Sequence, residues 1–329
     1  MAVLLAADAA GIAEAARWLR DGRLVAFGTE TVYGLGARAD ADAPIAALYA
    51  AKRRPAHNPL ICHYPSATAA ALDALFDARA RALADAFWPG PLTLVLPRAP
   101  GCRISLRAGP ADTLAVRVPG HAIALALLDA VALPIVAPSA NRSGTISPTS
   151  AHHVLAGLGA DIDAVLDCGG CSVGIESTVV DLSGPGAALL RPGIITAAEI
   201  EAVIGPLGTA EGAAARSPGL LLRHYAPRAR LRLDAMRCAD NEALLAFGPP
   251  PEGSFPMVQL SARRDLTEAA ANLFAGLRAL DAVVAKAGLA GIAAMPIPAD
   301  GIGVALNDRL ARAASGSGSS GGSADADIR

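Results

Sequence analysis

Short apolar runs alternate with alanine-rich periodic stretches along most of the chain. "RLVAF" (23–27) carries the apolar run "LVAF" and predicts a buried strand. "DAPIAALYAAKRR" (42–54) predicts a helix with Asp42 at its N-cap. "PLICHY" (59–64) predicts a strand, and "LADAFWPGPLTLVLPR" (83–98) carries a helix end through a Pro-Gly-Pro break into another. "TLAVRVP" (113–119) predicts a strand, "HAIALALLDAV" (121–131) a helix, and "LPIVAPSAN" (133–141) a strand entering a polar turn. "IDAVLDCGG" and "STVVDLS" add further strands. In "TAAEIEAVIG" (196–205), Thr196 stands three residues before Glu199, the spacing of a capping box, and this helix closes the first unit.

Residues 206–230 are rich in Gly, Ala and Pro and predict an interdomain linker. Inside it lies a basic-aromatic cluster, Arg223, His224 and Tyr225, in "SPGLLLRHYAP". A second alternation then runs over 231–314: "ARLRL", "ALLAF", "PMVQL" and "IAAMPI" predict strands, and "VALNDRLARAA" a last helix. Between them, 265–288 reads as one long amphipathic helix, with Leu266, Ala269, Ala270, Leu273, Leu277 and Leu280 on one face. Alternation of this kind predicts a small α/β unit. Residues 315–329 are Gly/Ser-rich and predict a disordered tail.

Composition narrows the class. Of 329 residues, 53% are hydrophobic and 18% charged, enough for a sizeable core in two domains. A net charge of −2 with 4% aromatics disfavours an RNA-binding module, which presents a basic face with stacking rings. The start "MAVLLAADAAGIAEAARWLR" lacks a basic n-region and a long apolar run, so neither signal peptide nor membrane span is expected, and the cytoplasm is the expected location. Five cysteines cannot all pair within the chain. Cys168 and Cys171 form C-G-G-C, readable as a redox or half-zinc pattern or as ordinary loop residues.

No phosphate-binding loop, dinucleotide fingerprint, metalloprotease helix or nucleophile elbow occurs. Instead, five loops at strand ends carry hydroxyls or amides, four of them together with cations. They are "TETVYGLG", read as a glycine-containing turn between strand and helix; "KRRPAHNPLICH"; "TLAVRVPGH"; "PSANRSGTISPT"; and "GIESTVVDLSGPGAALLRPG". Singly, each reads as ordinary turn or helix-end chemistry. Together they suit a polyanionic ligand, because ligands collect at strand ends and arginines fork onto phosphate or carboxylate.

These blocks, in this order, resemble the YrdC-domain family of L-threonylcarbamoyladenylate synthases. "FGTETVYGLGA", "AKRRPAHNPL", "FWPGPLTLVL", "VRVPGH", "APSANRSGTISPT", "GIESTVVDL" and "LLRPG" carry the resemblance, and "SPGLLLRHYAP" with "MPIPADGIGVALNDRLARAA" extends it to the long, two-domain form. It implies an α/β fold: a YrdC-like twisted, open mixed sheet with flanking helices over 1–205, a linker or lid over 206–230, and a smaller Rossmann-like α/β domain.

The reaction it implies joins L-threonine, bicarbonate and ATP into threonylcarbamoyl-AMP and pyrophosphate, with Mg²⁺ arriving on ATP. The product passes to a tRNA threonylcarbamoyl transferase, and strong direct tRNA binding is not expected. Carried over by motif, Lys52 and Arg54 are the catalytic cations. Arg54, Asn58, Thr113, Asn141, Thr149, Arg191 and Tyr225 fall at the ATP site, and Thr31, His63, Arg117, Ser139 and Ser177 at the threonine site. Thr178 competes with Ser177, and Glu30 is left to order the turn or to accept from substrate. Gly28 stands where many members have proline, and Cys168 adds a thiol before the Gly-Gly turn. A carbamoyl-transfer domain of the same fold is the enzyme alternative, without the acylphosphatase-like and zinc-finger segments that would accompany it.

Overall fold

The two alternations become two sheets. A computed structural model describes residues 1–56, 58–208 and 224–317. The first sheet has ten strands in the order β1-β8-β2-β3-β7-β4-β6-β5-β9-β10. They are β1 (Val3–Ala6), β2 (Val25–Gly28), β3 (Tyr33–Arg38), β4 (Ile61–His63), β5 (Leu92–Pro97), β6 (Thr113–Arg117), β7 (Ile135–Val136), β8 (Ala164–Asp167), β9 (Thr178–Asp181) and β10 (Ala188–Arg191). Parallel and antiparallel pairs mix: β4 with β6 is parallel, β2 with β3 antiparallel. Helices α1 (Ala9–Arg20), α2 (Asp42–Lys52), α3 (Ala67–Ala70), α4 (Ala78–Phe87), α5 (Ala122–Val131), α6 (Ala151–Leu158) and α7 (Ala197–Ile204) flank it. Successive residues of β2 serve opposite faces, as the two-residue period of a strand requires. Val25 and Phe27 join the core under α1 and α5, and Ala26 joins the larger core on the other side.

Three local readings change. The stretch after β2 is not one turn into a helix, because Tyr33–Arg38 pairs with β2 as a strand. Its glycines serve strand packing: a Cβ on Gly36 would lie 2.9 Å from the Val25 carbonyl, and one on Gly34 would lie 3.0 Å from the Ala137 Cβ. Asp42 is the first residue of α2, not its cap. Ala41 holds the cap position without a side-chain bond, and the Asp42 carboxylate turns to Ser105 and to Arg107 at 3.2 Å. At the start of the chain, β1 and the Asp8-capped α1 form two elements that the apolar-run reading did not separate. The capping box at Thr196 and Glu199 is present as expected.

The second sheet is all parallel, ordered β11-β14-β12-β13, from β11 (Arg230–Arg232), β12 (Glu242–Phe247), β13 (Met257–Ser261) and β14 (Gly291–Ala294). Helix α8 (Leu266–Ala287) buries Ala269, Ala270, Leu273, Leu277 and Leu280 against it, with Asp265 as N-cap. Helix α9 (Ile302–Gly316) runs two residues past the expected domain end. The second core does not stop at its own sheet, since Tyr225, Val32, Ile146 and Ile175 pack in the same apolar cluster as Leu273 and Leu306. Of the linker, 209–223 lie outside the described residues, as do 318–329 of the expected tail. No helix among the described residues is long and apolar enough to cross a membrane.

Candidate active site

A cleft forms where several strand ends of the larger sheet converge. β4 and β6 are parallel neighbours whose register pairs His63 with Arg117. Both residues thus stand side by side at C-terminal strand ends, where loops of an open α/β sheet hold ligands. β7 runs antiparallel to β4, and the chain beyond it returns to β3 through a bridge between Ser139 and Gly34. Ser177 precedes β9 and lies beside β5, its hydroxyl 2.8 Å from that of Thr93. Arg191 closes β10 and donates to Ser177 twice, Nε to the carbonyl at 3.0 Å and Nη2 to Oγ at 3.1 Å.

The cavity, about 50 Å³, is lined by Thr31, Val32, Arg54, Ile61, His63, Arg117, Ala137, Pro138, Ser139, Glu176, Ser177, Arg191, His224 and Tyr225. All five expected threonine-site residues are therefore on one wall system with Arg54, Arg191 and Tyr225. Ser177 rather than Thr178 faces it, because the Thr178 hydroxyl donates to the Ile195 carbonyl at 2.7 Å.

The end of α2 explains how three consecutive cations part ways. Arg53 adopts the left-handed conformation (φ 49°), and the N–H groups of Arg53 and Arg54 turn back onto Ala50 and Tyr49. Arg53 faces solvent, Lys52 stays inside, and Arg54 swings to the cleft. Lys52 is buried off the wall, its ammonium donating to the carbonyls of Ser139 and Asn141, the latter at 2.6 Å. Burial and the neighbouring Arg54 push that ammonium well below its usual pKa. Arg54 donates to the carbonyls of Asn58 (3.2 Å) and Pro59 (2.8 Å), and burial lowers it to about 10, still a cation at neutral pH.

Four other expected ATP residues also lie off the wall. Asn58 acts through the carbonyl that Arg54 uses. Thr113 is buried at the far end of β6, its carbonyl 3.3 Å from Arg98 Nε. Asn141 donates to the carbonyls of Arg142 and Thr145, and its Oδ1 is buried with no hydrogen-bond partner among the described residues. Thr149 sits against His153 and accepts from the Cys171 N–H at 3.1 Å.

Charge on the wall is paired from behind. Arg117 Nη2 donates to Glu30 Oε1 at 2.6 Å, so Glu30 partners an arginine of the wall, and its Oε2 is buried without a hydrogen-bond partner among the described residues. Burial alone would raise the Glu30 carboxyl, but Arg117 and the Gly120 N–H outweigh it and hold the group ionised. His63 Nδ1 lies 3.1 Å from the Ile61 carbonyl, an acceptor only, so Nδ1 carries the proton and Nε2 keeps a lone pair. Burial, then Arg117, drives this imidazole down to about 3, so it is neutral at pH 7.

Two family models cover nearly the whole chain. Residues 17–193 match the Sua5/YciO/YrdC family, described as telomere recombination, and residues 195–315 match the threonylcarbamoyl-AMP synthase C-terminal domain. The chain belongs to the threonylcarbamoyl-AMP synthase family. It is similar to the threonylcarbamoyl-AMP synthase of Pyrococcus abyssi, 40% identical over 319 residues that cover 91% of this chain and 92% of that one. The Bacillus subtilis threonylcarbamoyl-AMP synthase is 44% identical over 228 residues, 68% of this chain and 66% of that one. A crystal structure of P. abyssi Sua5 complexed with L-threonine superimposes with a TM-score of 0.85 at 36% identity, covering 96% and 98% of the two chains. The two-domain YrdC-type architecture is thus that of this synthase family.

Two polar wall residues escaped the sequence reading. Glu176 adjoins Ser177, so position in "GIEST" was its only signal. Its carboxylate accepts from Ser147 Oγ at 2.5 Å and from Arg309 Nε at 3.2 Å. His224 lay in the basic-aromatic cluster but without a role. It stacks edge-on against Tyr225 (4.1 Å between ring centroids), and burial first, then nearby cations, lowers it to about 3. Tyr225 itself is buried with φ 63°, a conformation uncommon for a large side chain. The Arg223 end of the cluster lies outside the described residues.

Proposed function

We propose that this chain makes threonylcarbamoyl-AMP from L-threonine, bicarbonate and ATP. The observation that carries the reading is the single cleft holding Thr31, His63, Arg117, Ser139 and Ser177 beside Arg54, Arg191 and Tyr225. Arg117 offers a cation, with Nε still without a partner among the described residues, to the threonine carboxylate. The neutral His63 Nε2 and the hydroxyls of Thr31, Ser139 and Ser177 suit the polar remainder of threonine. Its deprotonated amine takes up the carbon of bicarbonate, water leaves, and a carboxylate oxygen of the resulting carbamate attacks the α-phosphorus and expels pyrophosphate. That step makes the enzyme a nucleotidyltransferase.

Positioning is the main physical demand, since aligned reactants gain on the order of 7–11 kcal/mol over free encounter. Arg54 and Arg191 would hold phosphate charge, and Lys52 would act through the Ser139–Asn141 carbonyls it fixes. Mg²⁺ enters as MgATP. Glu30 and Glu176 are each held by an arginine, so phosphate oxygens are the better ligands for it. The product would go to a tRNA threonylcarbamoyl transferase in the cytoplasm, where ATP and tRNA meet. The test is pyrophosphate release from MgATP. Release should require both threonine and bicarbonate, and equal release without threonine would end the synthase reading.

A further inference from the structure

Helix α9 of the second domain places a fully buried arginine behind the cleft. Arg309 does not line the cavity, yet it contacts two residues that do, Glu176 and Tyr225, and Pro192 beside a third, Arg191. Its Nε donates to Glu176 Oε2 at 3.2 Å, and Nη2 lies 3.5 Å from the Glu176 carbonyl. Nη1 donates to the Pro192 carbonyl at 2.6 Å and to Asp308 Oδ2 at 3.0 Å. Glu176 immediately precedes Ser177, and Pro192 immediately follows Arg191. One planar fork therefore ties both backbone arms that carry the Ser177–Arg191 contact. The guanidinium carbon also lies 5.8 Å from the centre of the Tyr225 ring, which packs against Phe274 of α8 at 5.2 Å.

A second contact supports the same loop. Gly174 has φ +79°, and a Cβ there would meet the Ala270 carbonyl of α8 at 2.4 Å. The segment leading to Glu176 and Ser177 is thus pressed on α8 while Arg309 of α9 holds its end. Glu176 is a carboxylate on the wall of a cleft that must accept a polyanion. Without a cation behind it, its field would oppose the nucleotide at close range.

We infer that Arg309 is a positioning residue for the synthase reaction: it fixes Ser177, Arg191 and Tyr225 relative to one another and neutralises Glu176. The second domain thereby contributes to the geometry of the cleft. This rests on the synthase reading above. A staple between domains without such a role would change stability alone, and the two are separable.

Arg309→Lys keeps a buried cation but replaces the fork by a point donor that cannot span Glu176 and Pro192 together. Arg309→Met removes the cation. For each variant, pyrophosphate release is measured with ATP and threonine varied separately, beside the melting midpoint. The expected result is a folded Lys variant whose KM for ATP rises about 10-fold, and a Met variant whose kcat/KM for ATP falls about 100-fold. Glu176→Gln introduced into the Met variant should recover part of that loss, because the uncompensated charge is gone. Where the Met variant does not fold, the Lys variant decides by the same KM criterion. Folded variants with unchanged KM values, active in proportion to their folded fraction, overturn the inference. A wild type without threonine-dependent release overturns the synthase reading instead, and this inference with it.

Discussion

Two buried arginine–glutamate pairs flank the cleft, and they face it in opposite senses. In the first, Arg117 is on the wall and Glu30 stands behind it; in the second, Glu176 is on the wall and Arg309 stands behind. Their donors differ too. Arg117 makes one short bond to Glu30 and leaves Nε without a partner among the described residues, whereas Arg309 reaches Glu176, Pro192 and Asp308. A cation with donor directions left open suits an incoming anion, and one engaged by protein acceptors suits the holding of geometry. The pairs look alike in composition and differ in which partner meets the ligand.

The largest expected effect is therefore at Arg117. Arg117→Met should raise the KM for threonine at least about 100-fold and destabilise the fold by about 3–5 kcal/mol, since Glu30 is left buried and unpaired. Steady-state kinetics and urea unfolding measure the two parts. Glu30→Gln keeps an acceptor for Arg117 and should raise the same KM only about 10-fold. Glu176→Gln should leave the threonine KM within about 3-fold and move that for ATP instead. If Glu30→Gln and Glu176→Gln raise the same KM equally, the contrast between the pairs is broken.

Acid should act next. Burial lowers His63 and His224 to about 3, against an ordinary histidine value of 6.5. Between those values the unfolded chain binds more protons than the folded one. The stability contributed by keeping each ring neutral is therefore complete above pH 6.5 and declines as pH falls toward 3. Each histidine adds a slope approaching about 1.4 kcal/mol per pH unit. Between about pH 6 and 5 the buried carboxylates stay ionised, because Arg117 and Arg309 hold Glu30 and Glu176 below their ordinary range. In that window His63→Gln should flatten the stability profile by roughly one histidine's share. A variant with the wild-type slope would show that the imidazole is not held neutral by the fold.

The two pairs were unequally legible. The loops bearing Arg117, Ser139, Ser177 and Arg191 carry motifs at strand ends, so residue types in order pointed to them. Glu30 was visible in "TETVYG", but its partner was not, since the pair spans 87 residues and needs the register of β4 and β6 to bring Arg117 forward. Arg309 lies 133 residues from Glu176 and belongs to another sheet's flanking helix, where either arginine of "LNDRLARAA" reads as a solvated position. The motif carry-over names Lys52 and Arg54 together, and the structure sets only Arg54 on the wall. The left-handed turn at Arg53 sends the two cations to different places, and nothing in "KRRP" announces that geometry. Tyr33–Arg38 was lost as a strand because its glycines imitate a turn, and they become intelligible only once β2 and β7 lie against them.

The smallest expected effect tests the backbone just ahead of the first pair. Gly28 and Cys168 were the two departures from the commoner family pattern, and the structure puts them in contact. The Gly28 N–H lies 3.3 Å from Cys168 Sγ, and a Cβ on Gly28 would come within 2.7 Å of the Cys168 Cβ. Proline at 28 would remove that N–H and bring carbon into the space the cysteine fills. Gly28→Ala should therefore cost about 1–3 kcal/mol through overpacking. Only Cys168→Gly removes the offending atom; Cys168→Ala keeps the Cβ and should give no relief. A double-mutant cycle of Gly28→Ala with Cys168→Gly should show a coupling of about 1 kcal/mol or more. Because Gly28 packs behind the strand rather than on the wall, the KM values for ATP and threonine should hold steady throughout the cycle. Additive stabilities would mean that the two departures are unrelated. A shifted threonine KM would mean that the strand end, and not Glu30 alone, sets the position of Arg117.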